Sequence, residues 1–127
     1  LKFPCGVELE KLSNQSDKTY KIKPTLKDMD CSISGLENKC RKMIADGENK
    51  QDVAKYCIEY ICATIDGMTQ KTIEKYGELP LVYAGGVMSN SLINKRISAR
   101  YNACFAKPEF SCDNAAGVAI FASLKEI

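Results

Sequence analysis

At 127 residues, with 18 basic and 16 acidic side chains and a formal net charge of +2, the chain can build one domain with a real core. Its near-neutral balance creates no global field that would demand a nucleic acid or a membrane. No run approaches the roughly 18 apolar residues of a membrane span, and no positive leader precedes an apolar stretch at the start, so a cytoplasmic protein is expected.

In chain order, the sequence opens on Leu1 rather than Met, which suggests part of a longer protein. Phe3-Pro4-Cys5-Gly6 reads as a turn, followed by a short amphipathic helix carrying Val7, Leu9 and Leu12. Thr19 to Lys23 alternates before Pro24 and predicts a half-exposed edge strand. Ser34 with Glu37 three residues later has the form of a capping box, so a helix should start at about Gly35, with Leu36, Cys40, Met43 and Ile44 on one face and Asp46-Gly47 as its end. Residues 50–76 predict the longest element, a helix with Val53, Cys57, Ile58, Ile61, Ile65, Met68 and Ile73 at helical spacing, bent at Gly67 and stopped by Gly77.

The stretch 81–94 changes from strand to helix chemistry across two glycines. Leu81, Val82 and Tyr83 suit a buried parallel strand. Gly85 and Gly86 turn the chain, and Ser89 or Asn90 caps a helix that turns Leu92, Ile93 and Ile97 inward. A strand, a glycine turn and a helix N-terminus together suit an anion or a nucleotide, although such turns also occur simply as tight connections. Residues 103–106 predict a second strand, and residues 115–125 an apolar last helix, so the final third implies a right-handed parallel crossover.

Candidate chemistry is sparse. Seven cysteines without a Cys-x-x-Cys pair read as reduced core thiols, and the absence of histidine removes any imidazole base or ligand from this chain. Asp113-Asn114 before the last helix is either an N-cap pair or a carboxylate at the ligand-binding edge of the sheet, where one carboxylate could complete a metal site but not form one. Lys95, Arg96, Arg100 and Lys107 form a basic cluster that suits a phosphate backbone or merely a solvated helix face.

Four ordered segments resemble one family. Ala84-Gly85-Gly86-Val87-Met88-Ser89-Asn90 resembles its Ala-Gly-Gly-Val-x-x-Asn motif, and Ser111-Cys112-Asp113-Asn114-Ala115-Ala116 its Cys-Thr-Asp-Asn-(Gly/Ala)-Ala motif. Phe3 to Leu12 is similar to Tyr-Pro-Gly-Gly-Pro-x-Leu-x-Lys-Leu, and Asp30 to Leu36 to Asp-Phe-Ser-Phe-Ser-Gly-Leu. The family is that of the tRNA threonylcarbamoyladenosine synthase transferases, long called O-sialoglycoprotein endopeptidases or glycoproteases.

The resemblance implies an α/β fold of the actin-like, sugar-kinase-like ATPase type, in which two ribonuclease-H-like lobes enclose a nucleotide. Residues 1–127 would form its C-terminal lobe with a helical insertion. It implies transfer of threonylcarbamoyl from threonylcarbamoyl-adenylate to the tRNA adenosine beside the anticodon, with accessory proteins. Gly85, Gly86 and Asn90 would contact the nucleotide and Gly6 the substrate. Asp113 would join two histidines of the other lobe around one divalent metal, iron or zinc. The His-x-x-x-His segment and the first-lobe phosphate turn are absent, so the chain alone is expected to be inactive and, with its inter-lobe face bare, to form homodimers. Cys5 for a glycine and Ser111-Cys112 for Cys-Thr mark a divergent member. Other readings are a non-catalytic nucleotide-binding or assembly subunit of the same superfold, and a small-molecule kinase using Asp113 as a base. A protease is not indicated: no Ser/His or Cys/His pair can form.

Overall fold

The computed structural model describes residues 1, 5–111 and 115–125. Phe3 and Pro4 of the predicted opening turn, and Cys112, Asp113 and Asn114, lie outside the described residues. In chain order the elements are α1 (Gly6–Ser13), β1 (Leu26–Lys27), β2 (Asp30–Cys31), α2 (Ser34–Ala45), α3 (Lys50–Tyr76), β3 (Leu81–Tyr83), a 3₁₀ turn (Gly86–Ser89), α4 (Ser91–Arg100), β4 (Ala103–Phe105), α5 (Pro108–Ser111) and α6 (Ala115–Lys125).

Helix α3 is the axis, touching α1, α2, α4 and the β1–β2 hairpin. Its bounds are those its sequence predicts. The Asn49 side chain accepts the Asp52 N–H at 2.8 Å at one end, and at the other Gly77, at φ 79°, donates its N–H to the Ile73 carbonyl at 2.8 Å. Val53 and Ile58 of its apolar stripe are buried, but polar residues are buried too. Thr64 and Thr69 donate to the carbonyls of Tyr60 and Ile65, each at 2.8 Å. The Asp52 carboxylate takes the Ser16 hydroxyl at 2.5 Å and Lys18 Nζ at 2.7 Å. Glu59, its side chain 1% exposed, takes Arg96 Nη2 at 2.8 Å and the Tyr20 N–H at 3.2 Å, with Lys55 Nζ at 4.0 Å. The helix runs on through Gly67, where a Cβ would stand 2.6 Å from Leu26 Cδ1. That glycine admits the hairpin against the helix.

Three local expectations are corrected. No strand forms at 19–23: the Tyr20 amide goes to Glu59 instead of a ladder, and its ring packs edge-on to Tyr56 at 5.2 Å. Pairing falls later, in a hairpin that sets Leu26 opposite Cys31 and Lys27 opposite Asp30, with Asp28 at φ 53° in the turn. Helix α2 begins at Ser34 without a capping box. Ile33 is the cap position, the Ser34 hydroxyl shares a hydrogen bond with that of Ser32 at 3.1 Å, and Glu37 pairs forward with Arg41 at 2.7 Å. Leu36 and Met43 are buried, whereas Ile44 has turned to the exposed side.

Strands β3 and β4 pair in parallel, Leu81 opposite Ala103, Val82 opposite Cys104 and Tyr83 opposite Phe105, joined through the 3₁₀ turn and α4. One sheet face meets the core. Ile58 and Cys62 of α3 pack with Ile93 and Ile97 of α4, each of the last two 1% exposed, against Tyr83, Ala103 and Phe105. The Tyr83 and Phe105 rings stack at 4.9 Å, and the Tyr83 hydroxyl meets that of Thr69 at 2.5 Å. The other face is bare, with Val82 74% exposed and Cys104 exposed, so the predicted buried strand is only half-buried.

Helix α6 has one charged residue, Lys125, yet Val118, Ile120, Phe121 and Leu124 are each at least 62% exposed. The thiols divide likewise. Cys62 is buried and Cys40 and Cys57 half-buried, burial pushing the Cys57 thiol up to about 12, while Cys5, Cys31 and Cys104 are exposed rather than core residues. Among the described residues no helix is long and apolar enough to cross a membrane.

Candidate functional site

The carboxyl end of β3 leads into Gly85, at φ 109° and ψ 157°. A side chain would be strained at this φ, so the position needs glycine. Its carbonyl accepts the Met88 N–H at 2.9 Å and closes the 3₁₀ turn. Gly86 and Val87 then supply the first amides of that turn, for which helical geometry offers no partner within it. Gly86 is exposed and Val87 half-exposed, so this edge is open.

Asn90 caps α4 as its sequence predicts. Its side-chain oxygen accepts the N–H groups of Leu92 and Ile93, both at 3.1 Å. Its amide nitrogen donates to Glu10 Oε2 at 3.2 Å. The other Glu10 oxygen receives the Ser91 N–H at 3.1 Å and the Ser91 hydroxyl. A carboxylate from α1 therefore sits on the N-terminus of α4, where the helix dipole and unpaired amides favour negative charge. Gly6 lies one turn before Glu10 on the same helix, hence on the same face.

This arrangement corrects the reading of an open anion cradle. The first amides of α4 are already taken, Ser91 by the Glu10 carboxylate and Leu92 and Ile93 by the Asn90 oxygen, and an incoming phosphate there would meet a like charge. The same carboxylate can accept hydrogen bonds from hydroxyl groups. Glu10 was beyond sequence reasoning, because 80 residues separate it from Asn90 and its spacing in α1 marks only a solvated position beside Leu9.

Ser111, 4% exposed at the end of α5, joins the turn from the other side. Its hydroxyl accepts the Gly85 N–H at 2.8 Å and donates to the Gly85 carbonyl at 3.0 Å. Asp113, the predicted metal ligand, lies outside the described residues. The Ser89 hydroxyl, in the turn itself, is buried and has no partner among the described residues.

The predicted basic cluster is partly neutralised: Arg96 pairs with Glu59 and Arg100 with Asp66, leaving Lys95 and Lys107 exposed. Two open grooves lie elsewhere. One of about 580 Å³ is lined by Ser16, Lys18 and Asp52, and one of about 440 Å³, beside the opposite strand ends, by Leu81, Arg100 and Asn102; neither includes Gly85, Gly86 or Asn90. Among the described residues no group of three or more Cys, Asp or Glu could hold a metal, and the chain has no histidine. By itself the described chain does not fit a metal centre.

These features define an α/β protein with a parallel β-α-β crossover whose glycine turn and capped helix N-terminus stand at the carboxyl end of the strands, where such folds bind ligands. Residues 1–120 match the profile of TsaD, tRNA N6-adenosine threonylcarbamoyltransferase. The chain belongs to that family, as its four motifs indicated. It is 33% identical to the tRNA N6-adenosine threonylcarbamoyltransferase of Mycoplasma mobile, over 98% of this chain and 43% of that protein. It is 31% identical to the protein of the same name from Buchnera aphidicola, over 99% of this chain and 42% of that protein. The Streptococcus pneumoniae protein of that name is 27% identical over 99% and 41%. The chain thus spans well under half the length of these relatives.

Proposed function

We propose that the chain is the C-terminal lobe of a two-lobe enzyme of the actin-like, sugar-kinase-like superfold, and that the complete enzyme makes threonylcarbamoyladenosine in tRNA. In the transfer, the N6 amine of the adenosine beside the anticodon bonds to the carbamoyl carbon of threonylcarbamoyl-adenylate. The bond from that carbon to the phosphate oxygen breaks, AMP leaves, and the amine gives up a proton. The family match over residues 1–120 carries this reading, since it includes both the Gly85-Gly86 turn and Asp113.

The site residues divide the work. The Gly85 and Gly86 backbone faces the adenylate. Asn90 holds the first turn of α4 with its oxygen and steers Glu10 with its nitrogen. Glu10 accepts hydroxyl groups and keeps phosphate away from that helix end, and Gly6 opens the helix that delivers it. The exposed amides of the 3₁₀ turn, and the Ser89 hydroxyl that has no partner among the described residues, support a ligand at this edge. Asp113 would be the one ligand this chain contributes to an iron or zinc centre completed by imidazoles from another segment. Lys95 and Lys107, the cations of the cluster without an ion pair among the described residues, are offered to the tRNA backbone. Accessory proteins and a cytoplasmic setting go with a tRNA substrate.

The test is to incubate the complete protein with threonylcarbamoyl-adenylate and unmodified tRNA and to measure the modified nucleoside by mass spectrometry. Transfer is expected, with a loss of at least about tenfold in Asn90→Ala and Asp113→Ala, and none from residues 1–127 alone. A complete wild-type protein that makes no modified adenosine overturns the proposal. The lack of histidine and the bare apolar surface also suit a non-catalytic assembly subunit. Stable capture of a family partner without transfer is the outcome that reading requires.

A further inference from the structure

We propose that Ser111 is a positioning residue for the transferase site. Its hydroxyl bonds both backbone groups of Gly85, fixes the peptide from which the ligand-facing turn starts, and ties that turn to the segment leading to Asp113. The inference rests on the proposed function for its catalytic consequence, but not for the lock itself.

Glycine has no Cβ to restrict its torsions, so something else must choose the orientation of the Gly85 peptide. The Gly85 carbonyl already receives the Met88 N–H at 2.9 Å. The direction of that carbonyl therefore sets the direction of the whole 3₁₀ turn, including the amides of Gly86 and Val87. Ser111 holds both ends of this one residue, the N–H at 2.8 Å and the carbonyl at 3.0 Å. Only a hydroxyl can both donate and accept from a single atom at such distances; a thiol is weaker on both counts. At 4% exposure, water does not readily replace the missing bonds. In α5 Phe110 is 62% exposed and Ser111 is the buried residue, so this clasp is what its last residue does.

The experiment compares wild type, Ser111→Ala and Ser111→Thr in the complete protein by two readouts. The first is amide hydrogen exchange without ligand at Gly85, bonded to Ser111, and at Met88, bonded to the Gly85 carbonyl. The second is the KM for threonylcarbamoyl-adenylate against kcat at saturating tRNA. Ser111→Ala should speed exchange at these two amides by about tenfold over the rest of the sheet and raise KM about tenfold, the change that 1.4 kcal/mol makes, with kcat within about twofold. Ser111→Thr, which keeps the hydroxyl, should restore both.

If Ser111→Ala lowers the melting temperature but leaves exchange at the turn or KM unchanged, Ser111 is merely structural and the proposal is overturned. If the wild-type protein transfers nothing, the proposed function fails while exchange still decides whether Ser111 holds the turn. Should Ser111→Ala not fold, Ser111→Cys, nearly equal in size and weaker in bonding, must shift both readouts in the same direction.

Discussion

Asn90 serves two elements with one carboxamide, and its orientation is decided by both. The oxygen must face α4, because two N–H groups converge on it at 3.1 Å, and the nitrogen must face Glu10 at 3.2 Å. Asn90→Ala should cost about 1 kcal/mol of stability, as lost N-caps do, read as a lower urea midpoint with an unchanged slope. Asn90→Ser keeps the cap and loses only the donor to Glu10, so it should recover most of that loss; equal destabilisation by both changes would refute the cap. At this scale the sequence was half legible. An Asn before an apolar helix announces a cap, and glycines announce a turn. Neither announces that a glutamate in the first helix, or a serine from a four-residue helix, closes on them, because those bonds cross 80 and 26 residues.

Among the elements, α3 was legible because its signals are local, an apolar stripe and Gly77 to stop, while its Asn49 cap came to light only in the structure. Its buried polar side was invisible for the opposite reason, since Asp52 and Glu59 look like surface residues until their partners arrive from 16–20 and from α4. The phantom strand at 19–23 has the same origin, alternation without a neighbour to pair with. Arg96→Ala would leave the Glu59 carboxylate buried with, among the described residues, Tyr20 and a distant Lys55. Because Arg96 is itself 45% exposed, the cost should be about 2 kcal/mol, below the range for a fully buried pair. Arg41→Ala, whose pair with Glu37 is exposed, should cost under about 0.5 kcal/mol, and denaturation that finds the two equal would contradict the burial argument. The Lys18 hydrogen bond, and then that of Ser16, hold the Asp52 carboxyl below the usual carboxylate range. A lowered folded pKa stabilises above the unfolded value near 3.9 and loses that contribution as pH falls through the folded value. Acid titration of Lys18→Met should therefore show a shallower loss of stability below about pH 4 than wild type, and parallel curves would exclude the linkage.

For the whole molecule, a parallel sheet of two strands with one uncovered face is an incomplete object, since parallel sheets are buried on both sides. Val82 and Cys104 wait on that face, and α6 carries apolar residues into solvent. A helix apolar all round belongs in a core. Residues 1–127 alone should accordingly self-associate at tens of micromolar, and Ile120→Lys with Phe121→Lys should return them to monomers. Sedimentation velocity decides, and a wild-type monomer at high concentration would sink the expectation. A chain joined to the missing portion of its relatives' length should stay monomeric without those substitutions. The bond from Ser91 to Glu10 has a kinetic corollary as well. It closes a loop of 81 residues, an entropic demand of about 4 kcal/mol from the length-dependent term alone. The seam between the first helix and α4 should therefore close late during folding and open early. Proteases acting on the native protein would then find their earliest foothold in the strap after Ser13, well before they reach the middle of the long helix.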